Sequence, residues 1–126
     1  MFIWMPESKG DLVSIKLVGR FTDADCRATL PKLIEIAERE GRLRLMADLS
    51  EFEGWEWHAA YDQSAFGKPH WAKLKRFALV GTSGFAKLAA RIAATLTPAD
   101  VRIFDAGKQA AAFAWAQSDT PDPLIP

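Results

Sequence analysis

The feature that most constrains this chain is the alternation of short β-prone runs with longer stretches of helical periodicity. Leu43–Leu49 (LRLMADL), Phe77–Val80 closed by Gly81, and Val101–Phe104 (VRIF) each have the length and the branched or aromatic content of a strand. Between and after them lie three helical patterns. One covers about residues 56–67. A second begins near Ser83 and carries Phe85, Leu88, Ala89, Ile92, Ala93 and Leu96 on one stripe. The third is Ala-rich, from about Gly107 to Gln117, with Phe113 and Trp115. Strands separated by helices of this length predict βαβ units and a mostly parallel sheet.

The beginning of the chain breaks that rhythm. Phe2–Met5 is β-prone, Pro6–Asp11 (PESKGD) reads as a turn, and Leu12–Val18 alternates partly, with Ser14 and Lys16 on one face. Two runs joined by a turn predict an antiparallel pair. Thr22 then supplies an N-cap, and Asp25 three residues on completes a capping-box pattern. Cys26, Leu30, Leu33, Ile34 and Ala37 form an apolar stripe behind it, Lys32, Glu35, Glu38, Arg39 and Glu40 are left for water, and Gly41 is a stop signal. Pro31 is discordant. It removes one helical hydrogen bond, so the helix is either kinked there or starts late, at Pro31.

A chain of 126 residues, 49% apolar and 25% charged, can bury one core without staples. Residues 1–117 are expected to form a single domain, and 118–126 (SDTPDPLIP) a Pro-rich flexible tail. Sixteen basic residues balance sixteen acidic ones. That removes the long-range attraction a nucleic-acid binder uses, so no nucleic-acid partner is expected. One cysteine and two histidines are too few for a Cys/His zinc site, and neither a metal nor another cofactor is expected. Cys26 lies on the apolar stripe and reads as a small hydrophobe. The N-terminus lacks a signal-peptide pattern, and no apolar run approaches the ~20 residues that span a bilayer, so a cytoplasmic location is expected.

Several fragments recur in a fixed order: Pro6-Glu7-Ser8-Lys9-Gly10, Asp48-Leu49, Phe52-Glu53-Gly54-Trp55, Val80-Gly81, Phe104-Asp105 and Ala114-Trp115. Together, over about residues 1–117, they resemble the pattern of the SpoIIAA-like family, which is related to the STAS domains and more distantly to the CRAL-TRIO lipid carriers. The resemblance implies an α/β fold with a β-hairpin start and then alternating α/β units. The sheet would be mixed but mostly parallel, with about five strands and about four helices. In the anti-sigma-factor antagonists of the STAS group, a phosphorylatable serine opens the helix after the third strand, in a motif like DxSSG. Laid on Asp48-Leu49-Ser50, that motif puts Trp57 and His58 where the serine pair would fall, and no Ser or Thr lies between Glu51 and Gln63. The phosphorylation switch is therefore expected to be absent, with Ser50 as the one displaced acceptor to weigh.

Six of the fourteen aromatic residues fall between Phe52 and Trp71, together with both histidines. Phe52, Trp55, Trp57, His58, Tyr61 and Trp71 are the candidates for a partner- or ligand-binding surface, since Trp and Tyr join apolar bodies to polar tips. The bland alternative makes them the core side of a helix. Trp55 and Trp57, one residue apart, do not easily enter the same core. Gly81-Thr82-Ser83-Gly84 follows a strand and opens a helix, a place where backbone N–H groups could hold an anion; a tight turn with Ser83 as N-cap explains the same residues. Lys68, His70, Lys73, Lys75 and Arg76 form a basic run suited to the end of a helix. A small enzyme would have to use Asp48 at a strand end with His58, near Glu51, Glu53 and Glu56; no G-x-S-x-G elbow supports it. The leading expectation is a non-enzymatic interaction module that forms a homodimer or binds another protein. A carrier or sensor of a small apolar ligand or lipid is second, and the enzyme third.

Overall fold

The computed structural model describes residues 2–55, 72–81, 91 and 99–119. Five strands, β1 (Phe2–Trp4), β2 (Leu12–Phe21), β3 (Leu43–Trp55), β4 (Leu74–Val80) and β5 (Asp100–Phe104), form one sheet in the order β1-β2-β3-β4-β5. β1 is antiparallel to β2, and every later pair is parallel. The antiparallel start is as the turn between two β-prone runs predicts, and the parallel remainder is as the strand–helix alternation predicts. Helix α1 (Asp23–Glu40) connects β2 to β3, and helix α2 (Gln109–Gln117) follows β5. The helical patterns at 56–67 and from Ser83 lie outside the described residues, except for Arg91, which is helical.

The period-two alternation of each strand sorts its side chains onto two faces. On one face Val13, Ile15, Leu43, Leu45, Leu79 and their neighbours pack against Leu33 and Ala37 of α1. On the other, Leu12, Met46, Ala78 and Val80 pack against Ala112, Trp115 and Ala116 of α2. Removing a side chain of this size from water contributes about 2 kcal/mol, so the two faces together hold the sheet between its helices.

α1 begins as the capping box requires. The Thr22 hydroxyl accepts from the Asp25 N–H at 3.2 Å, and the Asp25 carboxylate accepts from the Thr22 N–H at 3.0 Å. A cap of this kind contributes about 1 kcal/mol. Gly41 closes the helix in the left-handed region at φ 76°. Pro31 lies inside the helix, which runs unbroken from Asp23, so a late start at Pro31 is excluded. The exposed Pro31 costs one hydrogen bond, and the apolar stripe packed on the sheet compensates.

One boundary differs from the sequence reading. The third strand does not end at Leu49 but continues through the Phe52-Glu53-Gly54-Trp55 segment. Two register shifts, at Lys16/Val18 and at Gly19/Arg20, let β2 stay paired with it as far as Phe21↔Trp55. The stretch beyond Leu49 is thus a bulged continuation of the strand, held by its neighbour. Ser118 and Asp119, the first residues of the expected tail, lie against Arg44: its guanidinium donates to the Ser118 carbonyl at 2.9 Å and pairs with the Asp119 carboxylate.

Candidate functional site

Ligands of open α/β sheets usually sit beyond the carboxyl ends of the parallel strands. Here that edge is built on the row Lys16, Asp48, Val80 and Phe104, which pair across β2, β3, β4 and β5. Asp48 is its centre, 7% exposed on the α2 side of the sheet. Its Oδ1 accepts from the Ser50 N–H at 3.0 Å and from the Ser50 hydroxyl at 2.7 Å. Its Oδ2 accepts from the Gln109 side-chain amide at 3.2 Å. Gln109 is the first residue of α2, so the carboxylate faces the end of that helix which favours negative charge. Beside it, the Lys16 ammonium pairs with the Glu51 carboxylate, which holds the lysine above its ordinary value.

Burial pushes the Asp48 carboxyl up, but the hydrogen bonds from Ser50 and Gln109, with Lys16 nearby, outweigh it. The net result lies below the ordinary carboxylate range. A carboxylate held ionised in this way has no proton to donate near neutral pH. It is also too weak a base to activate the serine hydroxyl bonded to it. The depressed value has a definite sign for stability. The contribution of Asp48 is complete above its unfolded value near 4 and is lost as pH falls through the lower folded one. Asp48→Asn should therefore flatten the loss of stability below about pH 4 while costing about 1–2 kcal/mol at neutrality. Urea midpoints measured from pH 6 down to 2.5 check this; parallel curves for wild type and variant would refute it.

Of the aromatic candidates, Phe52 is 6% exposed and belongs to the core on the α1 side, so its role is packing. Trp55 ends β3, paired with Phe21. Trp57, His58, Tyr61 and Trp71 lie outside the described residues, as do Thr82, Ser83 and Gly84. Gly81 is described. Its N–H donates to the Phe104 carbonyl at 2.8 Å, which ties the end of β4 to the end of β5 and commits that donor to the sheet. Among the described residues, no group of His, Cys, Asp and Glu could hold a metal ion. No helix among them is long and apolar enough to cross a membrane.

Sequence reasoning missed a second polar constellation on the same face. Arg44 and Arg76, 5% and 6% exposed, are directly paired across β3 and β4. Arg44 donates to the carbonyls of Ala116 and Ser118 at 3.1 and 2.9 Å, and Arg76 to that of Trp115 at 2.8 Å. The Arg76 guanidinium also lies 4.8 Å from the centre of the Trp115 ring. The two strands thus cap the carboxyl end of α2, which carries no basic residue in its own last turn. That lack was the available signal. Arg76 belongs to the basic run of the sequence, yet it is spent inside the fold.

A five-stranded mixed sheet with an antiparallel first strand and helices on both faces is the STAS type of α/β domain. The SpoIIAA-like family profile matches residues 12–117, and the chain belongs to that family. A solved structure from Shewanella loihica PV-4, an uncharacterised protein of the DUF3478 family with a SpoIIAA-like fold, is similar at 25% identity and a TM-score of 0.71. The match covers 91% of this chain and 93% of that one. The anti-sigma factor antagonist SpoIIAA in its unphosphorylated form is similar in fold, with a TM-score of 0.57 and 12% identity, over 94% of this chain and 100% of that one. No curated protein sequence matches the chain.

Proposed function

We propose that this chain acts by binding, as a STAS-like interaction module that associates with a second copy or with another protein and catalyses no reaction. The observation that carries the reading is the state of Asp48. The carboxylate at the usual ligand-binding edge is buried, ionised and bonded at both oxygens, which suits a structural support better than an acid or base. Regulation by phosphorylation at a DxSSG-like serine is not part of the proposal, because no Ser or Thr follows Ser50 before Ser64.

The aromatic segment that begins at Trp55 is the proposed contact surface, since Trp and Tyr are enriched where interfaces bury their apolar bodies. Replacing Trp55 and Trp57 together with alanine should convert an associated species to monomer in sedimentation velocity, with the circular dichroism of the folded protein retained. An unchanged sedimentation coefficient, with the protein still folded, would overturn the assignment of that surface.

A further inference from the structure

A cleft of about 400 Å³ opens on the α1 face, away from Asp48. Its walls come from two elements. The hairpin side supplies Trp4, Ser8, Lys9, Gly10 and Leu12, and α1 supplies Lys32, Glu35, Ile36 and Arg39. The four helical residues follow one another at i, i+3, i+4 and i+7, a single face of the helix turned toward the PESKG turn. Sequence periodicity left three of these to water. The structure puts them opposite a tryptophan.

The charges of the cleft do not balance. Lys9, Lys32 and Arg39 face Glu35 in the lining and Glu40 beside Gly10, and Arg39 is the cation engaged with both acids, with Glu35 at 4.0 Å and with Glu40 at 3.3 Å. Among the described residues Lys9 and Lys32 form no ion pair. The Lys32 ammonium instead lies 5.6 Å from the centre of the Trp4 ring. Two cations without an ion-pair partner among the described residues therefore border a wall made by Trp4 and Ile36. The volume falls within the range of small-molecule sites, about 300–1,000 Å³.

We infer that this cleft binds a small carboxylate with a flat apolar body, its anionic head on Lys9 and Lys32 and its body against Trp4 and Ile36. The opposed requirements make the reading specific. A neutral apolar molecule would gain nothing from the two ammonium groups, and a bare anion would gain nothing from the tryptophan wall. No residue of the cleft belongs to the proposed interaction segment, so either proposal can fail without the other.

Isothermal titration of the full chain with naphthalene-2-carboxylate tests the inference, with naphthalene-2-carboxamide and inorganic phosphate as comparison probes. Binding of the carboxylate is expected to be at least about tenfold tighter than that of the amide or of phosphate, and to weaken with added salt. The double variant K9A/K32A, altered at exposed positions, should stay folded and raise the carboxylate Kd about tenfold. Equal binding of amide and carboxylate would overturn the role of the lysines. Equal binding of phosphate would overturn that of the apolar wall. No carboxylate binding up to millimolar concentration, or an unchanged Kd in K9A/K32A, would overturn the site itself.

Discussion

Arg44→Ala is expected to destabilise the protein by about 3–5 kcal/mol, the usual cost of breaking a buried charged network by removing one partner. The guanidinium is almost wholly buried and engages groups from two separate places in the chain, Asp11 and the stretch 116–119. Besides the carbonyls of Ala116 and Ser118, it meets the Asp11 carboxylate at 3.2 Å and the Asp119 carboxylate. Truncation leaves the buried Ala116 carbonyl without its donor and opens a void under α2. It also withdraws the positive charge from the negative end of that helix. In thermal unfolding the loss should read as a fall of roughly 10 °C or more.

Two companion variants separate the causes. Arg44→Lys keeps the charge but loses the planar fork that reaches several acceptors, and should recover only part of the stability. Asp119→Asn alters a partner that is 81% exposed, and should leave the melting temperature nearly unchanged. If Arg44→Ala instead melted with wild type, water would have to satisfy the carbonyl end of α2, and the two-strand cap would be incidental.

The contrast between Arg44 and Thr22 explains which parts of this fold were legible in the sequence. Thr22, Asp25 and Gly41 act on groups within a few residues of themselves, and all three take the roles their identities suggest. The antiparallel start was likewise encoded locally, by a turn between two β-prone runs. Arg44 and Arg76 act on carbonyls 72 and 39 residues away, so no local pattern distinguishes them from solvated cations. The extension of β3 was hidden for the same reason. Glu53 and Gly54 disfavour a strand between the β-prone Phe52 and Trp55, and pairing with Val18–Phe21 holds the segment extended.

At the candidate site, Asp48 was legible as a residue at the carboxyl end of the parallel strands, where ligands of such sheets gather. Its engagement was not. Ser50 is two residues away, but Gln109 is 61 away and arrives only when α2 folds back over the sheet. The role of Lys32 in the α1 cleft was concealed in another way. Its place on the helix was correct, but the hairpin that turns toward it lies on a different element.

Gly81→Ala should be the second severe substitution, with a loss of about 3 kcal/mol. Gly81 has φ 136°, outside the range that side chains other than glycine readily adopt. An added Cβ would also lie 3.3 Å from the Leu49 carbonyl carbon and 3.4 Å from its oxygen. Both obstacles are backbone atoms of β3, which cannot turn aside as a side chain could. Gly41→Ala supplies the control, because φ there is 76° and a Cβ would meet nothing within 4 Å. That variant should lose only about 1–2 kcal/mol, the dihedral cost alone. The excess at Gly81 then measures how closely β4 must approach the Leu49–Ser50 peptide. Because Ser50 donates twice to Asp48, relief by moving β3 would also loosen the carboxylate. Gly81→Ala should therefore show a shallower loss of stability below pH 4 than wild type, which Gly41→Ala should not. Equal losses in the two variants, with unchanged acid profiles, would mean that the strand ends adjust freely and that Asp48 is not held by this contact.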